Sequence, residues 1–383
     1  MSESNRAFEV GPIRPPSEAN SLLLQVTQGC TWNKCRFCVV YHGSGFHMIP
    51  AERVRENIDS MAYFRDLIVS CTRDDGRLDR DRLYGRLEQL TQEELSCFYM
   101  VYNWLAHGGT NVFLQDGNSV AMKPEKLADL LFYLREKFPH IQRITTYGRA
   151  ETLSRWSVDQ LKLLRESGLN RIHTGFESGS DRVLALINKG LTQEQQIDGG
   201  RKVKEAGMEL SVYFMPGIGG LEFTEENASE TAKVVNAIGP DFVRLRTFVL
   251  KHESEMYQML QQGEFTECTD IGKLREIRDL VKGIEAPEVH LVSDHIVNLI
   301  GSLNGVIGTD KERLLAQIQR VLDLPEDEQK LYQLARRYGL IEDYPQLASI
   351  GGAQRARLQE ACSRCTDPET WEALLSSILR QYV

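Results

Sequence analysis

A chain of 383 residues with a formal net charge of −9 can bury a large core, and one α/β barrel with an appended segment fits that length as well as two separate domains. The acidity supplies no field to attract phosphates, so nucleic acid is a disfavoured partner and a small-molecule or protein-borne substrate is expected. No apolar run approaches the roughly 18 residues needed to span a bilayer, and the start MSESNRAFEVGPIRPP has neither an apolar core nor a cleavage pattern, so a cytoplasmic protein without membrane attachment is expected.

Residues 1–20 hold Pro12, Pro15 and Pro16 with little periodicity and read as an extended arm. Short β-rich runs then occur at 21–27, 110–116, 143–150, 171–177, 209–215 and 242–249, with amphipathic stretches between them. Six strands alternating with helices predict a parallel sheet covered by helices. Helix starts support the register, because Thr91 with Glu94, Ser157 with Gln160, Thr192 with Gln195, and Thr309 with Glu312 each match the capping box. The long gap at 28–109 contains a cysteine loop, a helix from about Ala51, and the run TRDDGRLDRDRLYGRLEQL, read as the solvated face of an inserted helix. After the sixth strand the pattern turns helical apart from a candidate seventh strand at 288–293, and Asp367 with Pro368 opens the last helix. The expected organisation is an arm at 1–20, a barrel at 21–300 with a helical insertion at about 51–109, and a helical cap or subdomain at 301–383.

Eight cysteines stand at 30, 35, 38, 71, 97, 268, 362 and 365. Cys71 and Cys97 lie in apolar stretches and belong to the core. Cys30, Cys35 and Cys38 crowd into nine residues after the first strand, which suits a metal better than a disulfide framework. Three thiolates on one loop can wrap an iron–sulfur cube while leaving one iron open. A zinc site completed by His42 or His47, or three unligated thiols, are the competing readings.

The C-x4-C-x2-C loop and the strand pattern behind it resemble the radical S-adenosylmethionine superfamily over about Ser21 to Val249. The common spacing is C-x3-C-x2-C, so the extra residue in the Thr31–Trp32–Asn33–Lys34 gap is read as the mark of a variant subgroup. The resemblance implies a partial (β/α)6 TIM-like barrel, a [4Fe–4S] cluster on Cys30, Cys35 and Cys38, and S-adenosylmethionine chelated at the open iron and cleaved reductively at its C5′–S bond to a 5′-deoxyadenosyl radical. An electron donor such as flavodoxin or ferredoxin is the implied partner.

The same resemblance implies that Phe37 packs near the adenine, its other reading being a loop anchor. Gly117 and Asn118, in Asp116–Gly117–Asn118–Ser119, stand where the family turn receives the methionine amino group, with the carboxylate displaced. The stretch GFESGSDRVLALINKG (175–190) is similar to the fourth-strand segment of the branch holding methylthiotransferases and oxygen-independent coproporphyrinogen oxidases. Glu177 and Ser178 then match positions that reach the ribose and methionine parts of the cofactor. A carboxylate can accept both hydrogens of a ribose diol, whereas Ser178, Ser180 and Asp181 can equally serve the following helix N-terminus. Gly217 in MPGIGG (215–220) permits close backbone approach to a ligand and matches no Rossmann fingerprint. Arg149, Arg244 and Arg246 are cations placed either to face the barrel mouth or to pair with acids. Cys30, Asp116, Arg149, Glu177 and Gly217 all fall at C-terminal strand ends, where α/β barrels keep their chemistry.

Asp294 and His295 form an acid and base pair for substrate or proton handling, with a strand-end turn as the other reading. Cys362 and Cys365 are expected not to be a metal site, since a C-x2-C pair lacks third and fourth ligands nearby. The alternative from another class is a metal-stapled, non-catalytic binding protein.

Overall fold

The computed structural model describes residues 6–382. Eight strands, β1 (Leu22–Gln25), β2 (Asn111–Gln115), β3 (Arg143–Tyr147), β4 (Leu169–Glu177), β5 (Glu209–Phe214), β6 (Phe242–Leu245), β7 (His290–Val292) and β8 (Gly305–Val306), follow one another in chain order across one sheet. β1 to β4 pair in parallel, as do β5 to β7. Every residue of β1 is buried, the pattern of a parallel strand covered on both faces. The fold is α/β with a mostly parallel sheet and C-terminal helices, as expected from the alternation.

The chain divides into two units. The first comprises residues up to Thr31, Gly43–His173 and Glu205–Glu209. In it helix Ala51–Ser70 buries Val54, Ile58 and Met61 on one stripe, and helix Gln92–Ala106 buries Cys97, Val101 and Trp104. Cys71 and Cys97 are core residues, and Cys97 Sγ also meets the backbone N–H and carbonyl of Phe8 at 3.2 Å each, which pins the N-terminal arm. The arm contains one feature its prolines conceal. Glu18 is fully buried, accepting from Ser21 Oγ (2.6 Å) beside Arg143 (3.3 Å) and His173. The charged run forms helix Arg80–Leu87, which buries none of its residues.

The second unit comprises Trp32–His42, Thr174–Lys204 and the chain from Leu210. Its core includes Val183, Ile187, Ile218, Phe248 and Met256. Helix Thr224–Ile238 stops at Gly239, whose φ of +63° closes the C-terminus in the left-handed conformation glycine favours. Four longer helices end the chain, Ile307–Leu322, Glu326–Arg337, Gly352–Arg364 and Pro368–Leu379. Asp367 caps the last of them through the Thr370 N–H (2.9 Å). No helix among the described residues is long and apolar enough to cross a membrane.

Three expected capping boxes form, at Thr91, Ser157 and Thr192. The fourth, Thr309 with Glu312, does not. Its helix begins at Ile307, directly out of β8, and the Asp310 carboxylate takes the Val306 N–H (2.9 Å), leaving Thr309 inside the first turn. β8 itself was not foreseen and pairs antiparallel with β7, so the sheet is not wholly parallel. Two residues are too few to show a period. β6 ends at Leu245 rather than near residue 249, because Asn298 accepts the Thr247 N–H through its side chain (3.2 Å) and so draws the backbone out of the ladder.

Candidate functional site

The cysteine loop has a closed neck. Thr27 and Gln28 pair antiparallel with Met48 and His47, and Gly29 turns with φ +82°, a Cβ there lying 2.7 Å from the Gly45 carbonyl oxygen. Asp116, just past β2, holds this neck by accepting from the Gly29 N–H at Oδ2 (3.1 Å) while its own N–H donates to Thr27 Oγ1 (3.1 Å). The carboxylate that sequence reasoning left without a task therefore braces the entry to the loop.

Residues 32–38 are clasped by residues 186–190. Trp32 Nε1 donates to the Asn188 carbonyl (2.7 Å), and its ring lies over Gly190, where a Cβ would come within 2.2 Å of it. The Arg36 N–H donates to the Ile187 carbonyl (2.9 Å) and its guanidinium to that of Leu186 (2.9 Å), while Asn188 Nδ2 reaches the Lys34 carbonyl (2.9 Å). Asn33 takes φ +49° and donates to the Tyr41 carbonyl (2.7 Å). Asparagine tolerates that conformation better than most residues. The four residues between Cys30 and Cys35 are thus held by one left-handed turn and one tryptophan contact. Cys35 is buried, Cys30 and Cys38 are half-buried, and none of the three is in a disulfide. A turn joins the Cys38 N–H to the Cys35 carbonyl (3.1 Å). Among the described residues no three His, Cys, Asp or Glu side chains stand together as a metal-binding group.

Past β2 and β3, Asn118 is buried and fully engaged. Its Nδ2 donates to Thr31 and Thr152 (2.9 Å each), and its Oδ1 accepts from the Arg149 N–H (3.0 Å). It acts here as a brace for Thr31, beside Cys30. Gly117 is half-buried and the Arg149 side chain is buried.

At the end of β4, Glu177 is buried with φ +63°, a conformation a non-glycine residue keeps only where its surroundings hold it. Its carboxylate pairs with Lys189 Nζ (2.8 Å), and the same ammonium lies 5.7 Å from the Phe37 ring centroid. Phe37 also packs on the core cluster, so its anchor role is real in this geometry. Ser178 Oγ accepts from the Ser180 N–H (3.0 Å), and Ser180 caps helix Asp181–Leu186 through the Val183 N–H. In the turn after β5, Gly217 has φ +84° and donates its N–H to Glu276 Oε2 (2.8 Å). Burial pushes the Glu276 carboxyl up to about 8, despite Gly217 and Asn227 bonding it.

Asp294 follows β7 and is gripped by both Arg244 and Arg246. Burial opposes its ionisation, but the two guanidinium charges more than offset this and hold its carboxyl below the usual range. The two arginines foreseen as free or paired cations are therefore paired with an acid that was itself singled out. His295 is neutral near pH 7, since burial and then the Arg246 charge pull it down to about 4. Both residues line a cavity of about 440 Å³ together with Ser293, Arg336, Glu342 and Tyr382.

The model of the Radical SAM superfamily matches residues 24–233. The chain belongs to the radical SAM superfamily. Enzymes of this family use a [4Fe–4S] cluster and S-adenosylmethionine. The chain is 23% identical over 324 residues to a tRNA-2-methylthio-N(6)-dimethylallyladenosine synthase of Prosthecochloris aestuarii, covering 82% of this chain and 60% of that one. It is 31% identical over 83 residues to an uncharacterized methyltransferase of Pyrococcus horikoshii, covering 22% of this chain and 18% of that one. The matched stretches thus span less than two thirds of these relatives. Methylornithine synthase is similar with a TM-score of 0.44 and 13% identity, covering 78% of this chain and 70% of that one. In donor chemistry the chain fits the radical SAM cluster, having three cysteines within nine residues after the first strand, none of them spent on a disulfide.

Sequence reasoning missed Lys189, the Asn188 clasp, Glu276 and Arg336. Glu276 was findable, because it shares a stripe with Lys273 and Leu280 in an amphipathic helix, and a charge on a buried stripe asks for a partner.

Proposed function

We propose that this chain is a radical SAM enzyme of a C-x4-C-x2-C subgroup, holding its cluster on Cys30, Cys35 and Cys38. The observation that carries the reading is the position of these three cysteines, none in a disulfide, at the head of the family match and after β1. When bound, the cluster supplies one electron, delivered by a flavodoxin- or ferredoxin-type donor, that breaks the C5′–S bond of S-adenosylmethionine and releases methionine from a 5′-deoxyadenosyl radical.

The chain's own residues divide the remaining work. Glu177 receives the ribose hydroxyls, with Lys189 setting its carboxylate, and Gly117 and Gly217 are the turns whose backbone the cofactor would meet. Phe37 offers a ring face to the adenine. Asn118 and Ser178 support this from behind, since their polar atoms already hold the cysteine loop and the helix start. Arg149 supplies a cation past β3. Asp294 and His295 serve the substrate, His295 as a neutral base or donor and Asp294 as the anion that fixes Arg244 and Arg246.

A small-molecule or protein-borne substrate agrees with the net charge of −9. The relative named for a tRNA modification favours a second reading, an RNA substrate. The test is anaerobic reconstitution with iron and sulfide followed by dithionite and S-adenosylmethionine. About four irons per chain and 5′-deoxyadenosine formation are expected. A colourless chain that holds zinc and releases no 5′-deoxyadenosine would establish the non-catalytic binder instead.

A further inference from the structure

The cavity past β7 contains an imbalance of charge. Helix Glu326–Arg337 presents two adjacent, buried arginines. Arg337 is neutralised by Asp270 at 2.7 Å, in a pair almost wholly shielded from solvent. Arg336 makes no ion pair among the described residues; it donates to the carbonyl oxygens of Asn298 (3.2 Å) and Ile296 (2.9 Å), through Nε and Nη2. A buried guanidinium without an ion-pair partner is costly, and here burial and then the charge of Arg337 depress its pKa, outweighing the opposing charge of Glu342. His295 adds an unsatisfied group, because its Nδ1 is buried with no hydrogen-bond partner. Both side chains line the same cavity of about 440 Å³.

We infer that this cavity binds a small molecule through a single carboxylate, received by Arg336 and hydrogen-bonded by His295, an assignment resting on the substrate role proposed for His295. The charge count selects the class. Arg244, Arg246, Arg336 and Arg337 stand against Asp294, Asp270 and Glu342, and the one positive charge left over, beside a neutral imidazole, balances a monoanion. Exposed Glu342 adds a negative charge to the lining, so a phosphate dianion meets stronger repulsion than a carboxylate does. Apolar lining from Val297, Ile341 and Leu379 leaves room for a hydrocarbon body behind the carboxylate.

The experiment is calorimetric titration of the full-length chain with sodium butyrate and, separately, with inorganic phosphate. Butyrate is expected to bind saturably and more tightly than phosphate. Arg336→Met is expected to weaken butyrate about tenfold, the scale of one charge-assisted bond, with Arg336→Lys retaining part of the affinity. Glu342→Gln, at the exposed position, is expected to narrow the gap between butyrate and phosphate, and it keeps the inference testable if Arg336→Met fails to fold. Absence of saturable butyrate binding, phosphate binding more tightly than butyrate, or a butyrate affinity indifferent to both Arg336→Met and Glu342→Gln would overturn it. The titrations require neither iron nor S-adenosylmethionine. Their failure therefore leaves the radical reading standing, and failure of 5′-deoxyadenosine formation leaves the carboxylate site standing.

Discussion

Residues 32–38 and residues 293–298 both belong to the second unit, yet they are held by opposite means. The cysteine-bearing segment hangs mostly on backbone carbonyls, those of residues 186–188 receiving Trp32 and Arg36, with a glycine admitting the Trp32 ring and one solvent-accessible ion pair joining Arg36 to Glu255 (2.9 Å). Past β7 the chain is held by buried charge, with Arg244 and Arg246 on Asp294, Arg337 on Asp270 and on the Val297 carbonyl, and Arg336 on two carbonyls. Neutral clasps of this kind lose about a kilocalorie per bond removed, whereas a buried ion loses several when its partner goes. The first segment offers its thiols with only one exposed ion pair, whereas the second fixes charges away from solvent.

The contrast is sharpest where function is removed without stability. Cys30→Ala/Cys35→Ala/Cys38→Ala is expected to abolish reconstituted cluster iron completely while the far-UV circular dichroism stays that of the parent. A triple variant that still took up about four irons per chain would remove these cysteines as ligands. The opposite case is Asp294→Ala, which removes the carboxylate shared by Arg244 and Arg246 and should lower stability by about 3 kcal/mol in urea denaturation. The half-exposed pair of Lys202 with Asp198 is the control, and Asp198→Ala should cost under about 1 kcal/mol. Equal losses in the two variants would break the comparison.

What the sequence revealed and what it hid follow the same division. Strands were legible because parallel strands are runs of buried apolar residues, and helix starts were legible because capping is local, as at Thr91 and Ser157. Cysteine spacing and the stretch ending at Gly190 were legible as motifs. The clasp between Trp32 and Asn188 joins residues 156 apart in the chain, so no window contains it. Arg336, Arg337 and Glu276 look like ordinary charges of amphipathic helices, and only tertiary packing shows them buried. Thr309 failed for the converse reason. A correct local signal was overridden when β8 delivered the chain into its helix two residues early.

Charge burial also gives the second unit a pH signature that neutral clasps lack. The Glu276 carboxyl is raised from 4.5 to about 8, so the folded chain keeps a proton that the unfolded chain releases, and stability falls as pH rises through that window. Glu372, raised to about 7 chiefly by burial, adds to the fall over a narrower range. His295 acts oppositely, its depressed value of about 4 against 6.5 making stability rise with pH, but only below 6.5. Between about pH 6.5 and 8 the two carboxyls act alone, with a slope of at most ~1.4 kcal/mol per pH unit for each proton. Urea denaturation of the parent should show a lower stability at the upper end, by about 2 kcal/mol, and Glu276→Gln should remove most of the difference. A variant with an undiminished slope would place the titration elsewhere.

The smallest expected effect tests how the four residues between Cys30 and Cys35 are held. Trp32 does two things at once, laying its ring over Gly190 and donating Nε1–H to the Asn188 carbonyl at 2.7 Å. Trp32→Phe keeps an aromatic ring and removes the donor, so the Asn188 carbonyl, on a half-exposed turn, turns to water. The loss should be about 1 kcal/mol, the net worth of one such bond. Trp32→Ala removes the ring as well and exposes the turn at Gly190, whose φ of +68° leaves no place for a compensating side chain. Its loss should exceed that of Trp32→Phe by about 1–2 kcal/mol through lost apolar contact alone. If the two variants lose equal amounts, the hydrogen bond does all the work and any residue with a donor of similar reach would serve this four-residue gap. If Trp32→Phe loses nothing, the ring contact suffices, and the gap is held by shape over a glycine, not by a specific donor.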